Sequence, residues 1–352
     1  MQLSRFKLFS KAVFLVHALV IGSAAYAQTN NAQTNIAQVN KAQPTIAIVL
    51  NSRDANLSVI DLAANPWNAA KLQNTKSQPV VKVGKEPHHL YAAPDGKHIW
   101  VANAQSDELT MHDASTGVLI KRTKGIADPY HMGLSPDNKW LVVNSLRLDR
   151  VDIYSHNNNE FKLVKRIPTG RMPSHLEYSA DSKTVYITEQ GSDTLSAISL
   201  ETQSLIWTMP VGSAPAGVWR SPEGLLFVGI MGENYVNVID PAKRASIKKI
   251  ITGKGAHAFR GAGDGKILFV SNRDQGSISA LNMQTLERLY DIPVAGGPDC
   301  MEVSADGATL WVTTRWARKL TVIDIAKRSI IQQYAVGASP HGIFLNARAP
   351  MR

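Results

Sequence analysis

The feature that most constrains this 352-residue chain is an internal repeat of about 42 residues. A short pattern, Gly-x-x-Pro or a variant of it, recurs along the chain. Its last residue, called here the anchor, occurs at Pro87, Pro129, Pro173, Pro215, Ala256, Pro298 and Pro340, with spacings of 41 to 44 residues. An acidic turn residue follows each of the first six anchors by eight positions, as in Pro94-Asp95-Gly96. Constant offsets in six copies indicate one structural unit repeated in tandem.

Each unit contains four short runs rich in β-branched and aromatic residues. In one unit the predicted strands are His88–Ala93, Ile99–Asn103, Glu108–Asp113 and Val118–Thr123. Four strands in a repeat of 40 to 45 residues are typical of a β-propeller blade. A β-helix has a much shorter repeat, and a helical solenoid requires a 3.6-residue periodicity that this sequence lacks.

The ends of the chain predict how the ring closes. After Pro340 only one strand follows, over residues 341–345, whereas the first segment, residues 46–83, supplies three strands. Together they make one composite blade. The sequence therefore predicts an all-β fold: a seven-bladed β-propeller with four antiparallel strands per blade, closed by pairing the N- and C-terminal strands.

The repeats resemble a known family. Segments such as Tyr186-Ile187-Thr188, Trp311-Val312-Thr313 and Val322-Ile323-Asp324 are similar to the YVTN-family propeller repeat. The resemblance covers residues 45–346. It implies the fold but not one activity, because propellers serve as binding scaffolds, lyases, lactonases and redox enzymes.

The N-terminus predicts the compartment. Arg5, Lys7 and Lys11 precede a short apolar stretch that ends in Ala25-Tyr26-Ala27, which is typical of a signal peptide over residues 1–27. A retained membrane anchor is the alternative. Residues 28–43, rich in Gln, Asn and Ala, are expected to be a disordered linker. The propeller is assigned to residues 44–347 and a C-terminal tail to 348–352, in a periplasmic or secreted protein without a membrane span.

Six of the nine histidines outside the predicted signal peptide lie one or two residues after an anchor, and Cys300 lies two residues after another. In a propeller the first strand of each blade lines the central channel, so these side chains should ring the channel mouth. Strand alternation predicts that one set faces the channel, with two carboxylates further along it, and that a second set lies on the rim. The channel set is His89, His131, His175 and Cys300, the carboxylates are Glu177 and Glu302, and the rim set is His88, His257 and His341.

Imidazole, thiolate and carboxylate on one axis are ligands for copper or zinc, which is the predicted cofactor. The set partly resembles the nitrous oxide reductase propeller, in which axial histidines, including an adjacent pair, hold copper. This chain is far shorter and lacks that family's cupredoxin domain, so the resemblance does not imply reductase activity. Two alternatives stay open: repeated histidines that bond only to loop carbonyls, and a site for an organic ligand or a catalytic histidine.

Four arginines follow the second strands of their blades and are expected on the same face. They are predicted to bind a small anion or an acidic protein partner at the channel mouth, the alternative being solvated loop charges. They are Arg53, Arg147, Arg273 and Arg315.

The formal charge is +10, and it falls to +7 when the three cations of the signal peptide leave. Basic doublets such as Lys121-Arg122 lie beside predicted outer strands, where charge prevents edge-to-edge aggregation. Nucleic acid is therefore not an expected partner.

No phosphate loop, Ser-His-Asp spacing or haem-attachment motif is present in the sequence. We therefore interpret the chain as a monomeric metal-handling or redox-accessory propeller. The alternatives are a metal-free protein-interaction scaffold and an enzyme of the propeller lactonase or lyase kind.

Overall fold

The computed structural model describes residues 43–63 and 80–351. The predicted signal peptide and nearly all of the predicted linker lie outside the described residues. Among the residues it does describe, no helix has both the length and the apolar character needed to cross a membrane.

Seven sheets of four antiparallel strands form the domain, as the repeat predicts. The closing blade combines β28 (Pro340–Leu345) with β1 (Ile46–Asn51), β2 (Asn56–Asp61) and β3 (Val80–Lys82). The next three blades are β4 (Pro87–Ala92), β5 (His98–Asn103), β6 (Glu108–Asp113) and β7 (Leu119–Lys124); β8 (Pro129–Leu134), β9 (Trp140–Ser145), β10 (Arg150–Asn157) and β11 (Glu160–Pro168); and β12 (Pro173–Tyr178), β13 (Thr184–Glu189), β14 (Thr194–Ser199) and β15 (Ser204–Pro210).

The last three blades follow the same order from the axis outward. They are β16 (Pro215–Arg220), β17 (Leu226–Ile230), β18 (Tyr235–Asp240) and β19 (Ala245–Ile251); β20 (Ala256–Gly261), β21 (Ile267–Asn272), β22 (Ser277–Asn282) and β23 (Glu287–Pro293); and β24 (Pro298–Val303), β25 (Thr309–Thr314), β26 (Lys319–Asp324) and β27 (Ser329–Ala335). Two short 3-10 helices, Ala104–Ser106 and Leu146–Leu148, link second and third strands. The strand bounds predicted for the β4–β7 blade are correct to within one residue.

The ring closes as predicted, by antiparallel pairing of β1 with β28. Ala47 pairs with Leu345 and Val49 with Ile343. Asn346 extends this join, because its Oδ1 accepts the backbone N–H groups of Thr45 and Ile46 at 2.9 and 3.0 Å. The two ends of the domain are thereby tied in one sheet.

The core lies between the blades rather than at the axis. Seven apolar clusters fill the seven gaps, and each contains one inner-strand residue three positions after an anchor. These residues are Leu90, Met132, Leu176, Val218, Phe259, Met301 and Ile343. The sequence analysis assigned this apolar column to blade-to-blade packing, and the structure places it there.

The anchor motif has a steric cause. A Cβ on Gly84 would lie 2.6 Å from the Cβ of Asn103 at the end of β5, so this position requires glycine. The residue just before each anchor, such as Glu86 with φ of 52°, is left-handed in all seven blades. The same turn therefore precedes the inner strand of every blade, which places the residues after the anchors around the channel.

The C-terminal segment packs against the domain as far as the structure describes it. Ala349 is buried, its N–H donates to the Val303 carbonyl at 2.8 Å, and Arg348 forms a β-bridge with Ser304. Arg260 holds the carbonyls of Ala349 and Pro350 at 2.6 and 3.1 Å. The segment assigned as a tail thus covers part of the propeller.

Candidate metal centre

Each inner strand has a β-bulge directly after its anchor. In β12 the pairing with β13 skips from Pro173 to Leu176, and equivalent shifts occur in the other six blades. A bulge interrupts the alternation of side chains, so consecutive residues turn toward the same side. Nδ1 of His88 accordingly lies 2.8 Å from Nδ1 of His89, its neighbour in sequence.

The bulges create two layers of side chains across the axis. The mouth layer, one residue after each anchor, contains His88, Tyr130, Ser174, Ala216, His257, Asp299 and His341. The channel layer, one residue further, contains His89, His131, His175, Gly217, Ala258, Cys300 and Gly342.

The predicted rim position of the mouth-layer histidines is wrong. His88, His257 and His341 are between 0 and 3% exposed. Strict strand alternation would have turned them away from the channel-layer residues. The bulge turns them toward the axis instead, where they pack directly against the channel layer.

The six axial histidines form one continuous cluster. The ring centroids of His88 and His341 are 3.9 Å apart, and those of His89 and His131 are 4.2 Å apart. His89 also contacts His341 at 4.6 Å between centroids, which joins the two layers. His175 and His257 complete the cluster, with centroids 5.3 Å apart.

Two groups of ligand atoms within this cluster are close enough to share an ion. Atoms of His88, His89 and His341 lie within 4.8 Å of one another, and so do atoms of His257, Asp299 and His341. Several buried ring nitrogens have no hydrogen-bond partner, which is uncommon in a protein interior. Among the described residues these include His131 Nδ1, His175 Nε2 and His341 Nε2.

Burial keeps these imidazoles neutral. Loss of solvent lowers the pKa of all six rings, and it lowers that of His131 to about 3. Neighbouring rings lower the pKa of His89 further, because a second positive charge beside the first is unfavourable. The neutral ring is the form that donates a lone pair to a metal ion.

Asp299 was missed in the sequence analysis, although it occupies the same repeat position as His88 and His341. Its buried carboxylate lies 2.9 Å from Arg273, 3.1 Å from Arg315 and 3.0 Å from Nδ1 of His257. Burial alone would raise the pKa of Asp299, but Arg273 and the neighbouring imidazoles hold it well below its usual value. Aligning the repeats at this position would have revealed it.

Tyr130 was also missed at the same repeat position. Its ring stacks on His88 with centroids 3.7 Å apart, and burial raises its pKa to about 12. Tyr130 therefore stays protonated and forms one wall of the histidine cluster.

The four predicted arginines do not form one site. Arg273 and Arg315 both hold Asp299. Arg147 instead pairs with Glu86 and Asp128, at 2.9 and 2.6 Å. The fourth, Arg53, is exposed and forms no ion pair with any residue that the structure describes.

The two predicted carboxylates lie further along the channel, outside both ligand groups. Glu302 pairs with Arg260 at 2.8 Å. Glu177 forms no ion pair with any other residue in the described part of the chain, and burial raises its pKa to about 7. It lines a channel cavity of about 470 Å³ that also borders His89, His131, His175 and Cys300.

Cys300 lies at the edge of the cluster, with Sγ 3.5 Å from Nδ1 of His341. Burial raises the pKa of its thiol well above the usual value, and the nearby negative charge of Asp299 raises it further. In the absence of a metal ion the group is therefore a neutral thiol.

Solved structures share this architecture at low sequence identity. Hydrazine synthase of Kuenenia stuttgartiensis superposes with a TM-score of 0.64 at 18% identity, covering 74% of this chain and 91% of that chain. A protein of unknown function from Desulfotomaculum acetoxidans superposes with a TM-score of 0.71 at 14% identity, over 86% and 98% of the two chains. A putative 6-phosphogluconolactonase from Bacteroides fragilis gives 0.66 at 14% identity, over 85% and 97%. At these identities the likeness shows the fold alone.

Sequence comparison gives the family. An uncharacterised protein of Staphylococcus saprophyticus is 24% identical over 131 residues, which span 32% of this chain and 38% of that protein. The model of the YNCE-like β-propellers matches residues 9–351, most of the chain. The chain therefore belongs to the YNCE-like β-propeller family.

Proposed function

We propose that this propeller binds one copper or zinc ion in its axial histidine cluster and acts as a metal-handling or redox-accessory protein. The observation that carries the proposal is the convergence of His88, His89 and His341, whose ligand atoms lie within 4.8 Å of one another. Two nitrogens bound to one ion at about 2.0–2.1 Å are roughly 3 to 4 Å apart. Small rotations of these rings would meet that requirement.

The chemistry of the cluster supports a cation. All three rings are buried, and their pKa values are lowered, so binding displaces few protons near neutral pH. Imidazole suits both copper and zinc. Cys300 is close enough to His341 to supply a sulfur ligand after it loses its proton.

The second group, around Asp299, suits an ion less well. Its carboxylate is already engaged by the guanidinium groups of Arg273 and Arg315. A metal ion there would meet two fixed positive charges at close range, which is costly in a buried site. We therefore place the ion at His88, His89 and His341, with the Asp299 carboxylate as a neighbouring negative charge 3.7 Å from Nε2 of His341.

Metal analysis of tag-free protein tests this function. Chelator-treated protein should take up close to one equivalent of Cu or Zn and melt at a higher temperature when loaded. The double variant H88Q/H341Q should lose both effects. His98→Gln is the matched control, because His98, the first residue of β5, lies outside the axial cluster and pairs with Asp95 of the preceding turn.

The alternatives give different results. A metal-free scaffold would show no stoichiometric uptake in either protein. A lactonase- or lyase-like enzyme would turn over substrate with no metal bound, and its activity would fall with substitution of His89 or Glu177. Equal uptake by wild type and H88Q/H341Q would contradict the proposed site.

A further inference from the structure

A second cavity, of about 430 Å³, lies on the mouth face where the closing blade meets the β4–β7 blade. It is lined by three cationic residues, Arg53, Lys85 and Arg315, and by one carboxylate, Glu86. Positive charge therefore dominates its wall.

Most of this positive charge is not neutralised within the described residues. Arg53 and Lys85 are exposed, and neither forms an ion pair there. Glu86 is engaged by Arg147 at 2.9 Å, which reduces its effect in the cavity. Arg315 donates to Asp299 through Nη1, and its other side-chain N–H groups have no partner among the described residues.

The loops that carry these side chains are fixed by backbone hydrogen bonds. The N–H of Arg53 donates to the Ala338 carbonyl at 3.3 Å. The carbonyl of Lys85 accepts the N–H of Gln105 at 3.2 Å, and the Lys85 N–H donates to Ser106 Oγ.

We propose that this pocket binds a small, multiply charged anion built from carboxylate or phosphate groups. Two arginine forks and a lysine match such a ligand, because guanidinium binds planar oxyanions through paired hydrogen bonds and lysine adds a point charge. Ser339 lines the same cavity, whereas the hydroxyl of Ser52 is already engaged by the Pro87 carbonyl, to which it donates at 2.7 Å. A cavity of this size holds a compact polyanion such as a tricarboxylate.

This site goes beyond the proposed metal function and does not require it. The pocket is separated from the histidine cluster by the Arg315–Asp299 ion pair, and none of its lining residues belongs to the proposed ligand group. Anion binding is therefore expected in metal-free protein, and its failure would leave the metal proposal standing.

Calorimetric titration of the metal-free protein with citrate and, separately, with inorganic phosphate tests the proposal. Saturable binding at one site per chain is expected for at least one of them, weakening as salt rises. R53Q/K85Q should weaken that binding at least tenfold. The charge-matched control K97Q/K266Q removes two exposed lysines from the turns between first and second strands, at the other end of the blades, and should stay within twofold of wild type.

The two titrations identify the ligand class. Stronger binding of citrate indicates a polycarboxylate, and stronger binding of phosphate indicates a phosphorylated compound. Absence of saturation with both anions overturns the proposal. So does unchanged binding in R53Q/K85Q, and so does an equal loss in the control, which would show a general attraction by net charge.

Discussion

The imidazole rings of His88 and His341 lie 3.9 Å apart between centroids, although most of the chain separates them in sequence. His341 lies on β28, the strand that closes the ring, and His88 lies on the first strand of the next blade. Closure of the propeller and assembly of the proposed metal site are therefore one structural event. Weakening the β1–β28 join should affect both.

Deletion of residues 341–352 should abolish cooperative folding. The closing blade would lose its innermost strand, and the partner edge of β1 would be exposed. A milder change, Asn346→Ala, removes the bonds to Thr45 and Ile46 and should cost about 1 kcal/mol. Thermal melting measures the effect of the deletion and of Asn346→Ala. As a control, deletion of residues 28–43 at the other end of the chain should leave the melting temperature unchanged. A truncated protein that melts like the full chain would refute the closure.

Asp299→Asn should destabilise the fold by about 3–5 kcal/mol, because it leaves two guanidinium groups without their counter-charge. Urea unfolding of metal-free protein measures this loss. Adding Arg315→Gln should recover part of the stability, since one of the unpaired charges is removed. Asp274→Asn, at an exposed position, is the control. A loss below about 1 kcal/mol would show that the carboxylate is not a buried counter-ion.

The metal-free protein should lose stability steeply in acid. Burial lowers the pKa of the six axial histidines, so they stay neutral when folded but protonate near pH 6.5 when unfolded. Below about pH 6.5 the unfolded state therefore binds more protons than the folded state. Each such histidine then lowers the free energy of unfolding by about 1.4 kcal/mol per pH unit. Chemical denaturation between pH 7 and 5 measures the slope. A stability that is constant over this range would contradict the burial of the cluster.

Glu177 should act in the opposite direction. Burial raises the pKa of Glu177 to about 7 from a usual value of 4.5. The stability that the protonated carboxyl allows is therefore fully present below pH 4.5 and is lost as the pH rises through 7. Between pH 6 and 9 this loss should be about 1–3 kcal/mol, and Glu177→Gln should remove it. The exposed Glu201→Gln is the control. Equal alkaline profiles for wild type and Glu177→Gln would show that the carboxyl is already ionised at pH 6.

The sequence predicted the fold well because each repeat contains residues that mark where its strands begin and end. The glycine, anchor and acidic turn recur at constant offsets, so the blade count, the strand bounds and the closing pair could all be read from spacing. The apolar column from Leu90 to Ile343 likewise follows from strand alternation once the repeats are aligned.

The site was predicted less completely, for one physical reason. Strict alternation separates consecutive residues such as His88 and His89, whereas the bulge after each anchor brings them to the same side. A bulge leaves no clear mark in the residue pattern, so the two layers could not be merged from sequence. The pairing of Arg147 with Asp128 depends on loop contacts that the spacing of the repeats does not encode, so the sequence did not predict it. The resemblance to the nitrous oxide reductase propeller stays a prediction.

Crystals of the metal-loaded protein, measured at the absorption edge of the bound metal, test the central claim most directly. We predict one anomalous peak per chain within about 2.3 Å of ring nitrogens of His88, His89 and His341. A fully loaded protein with its peak outside the axial cluster, or crystals without any peak after saturation with copper and zinc, would contradict the account.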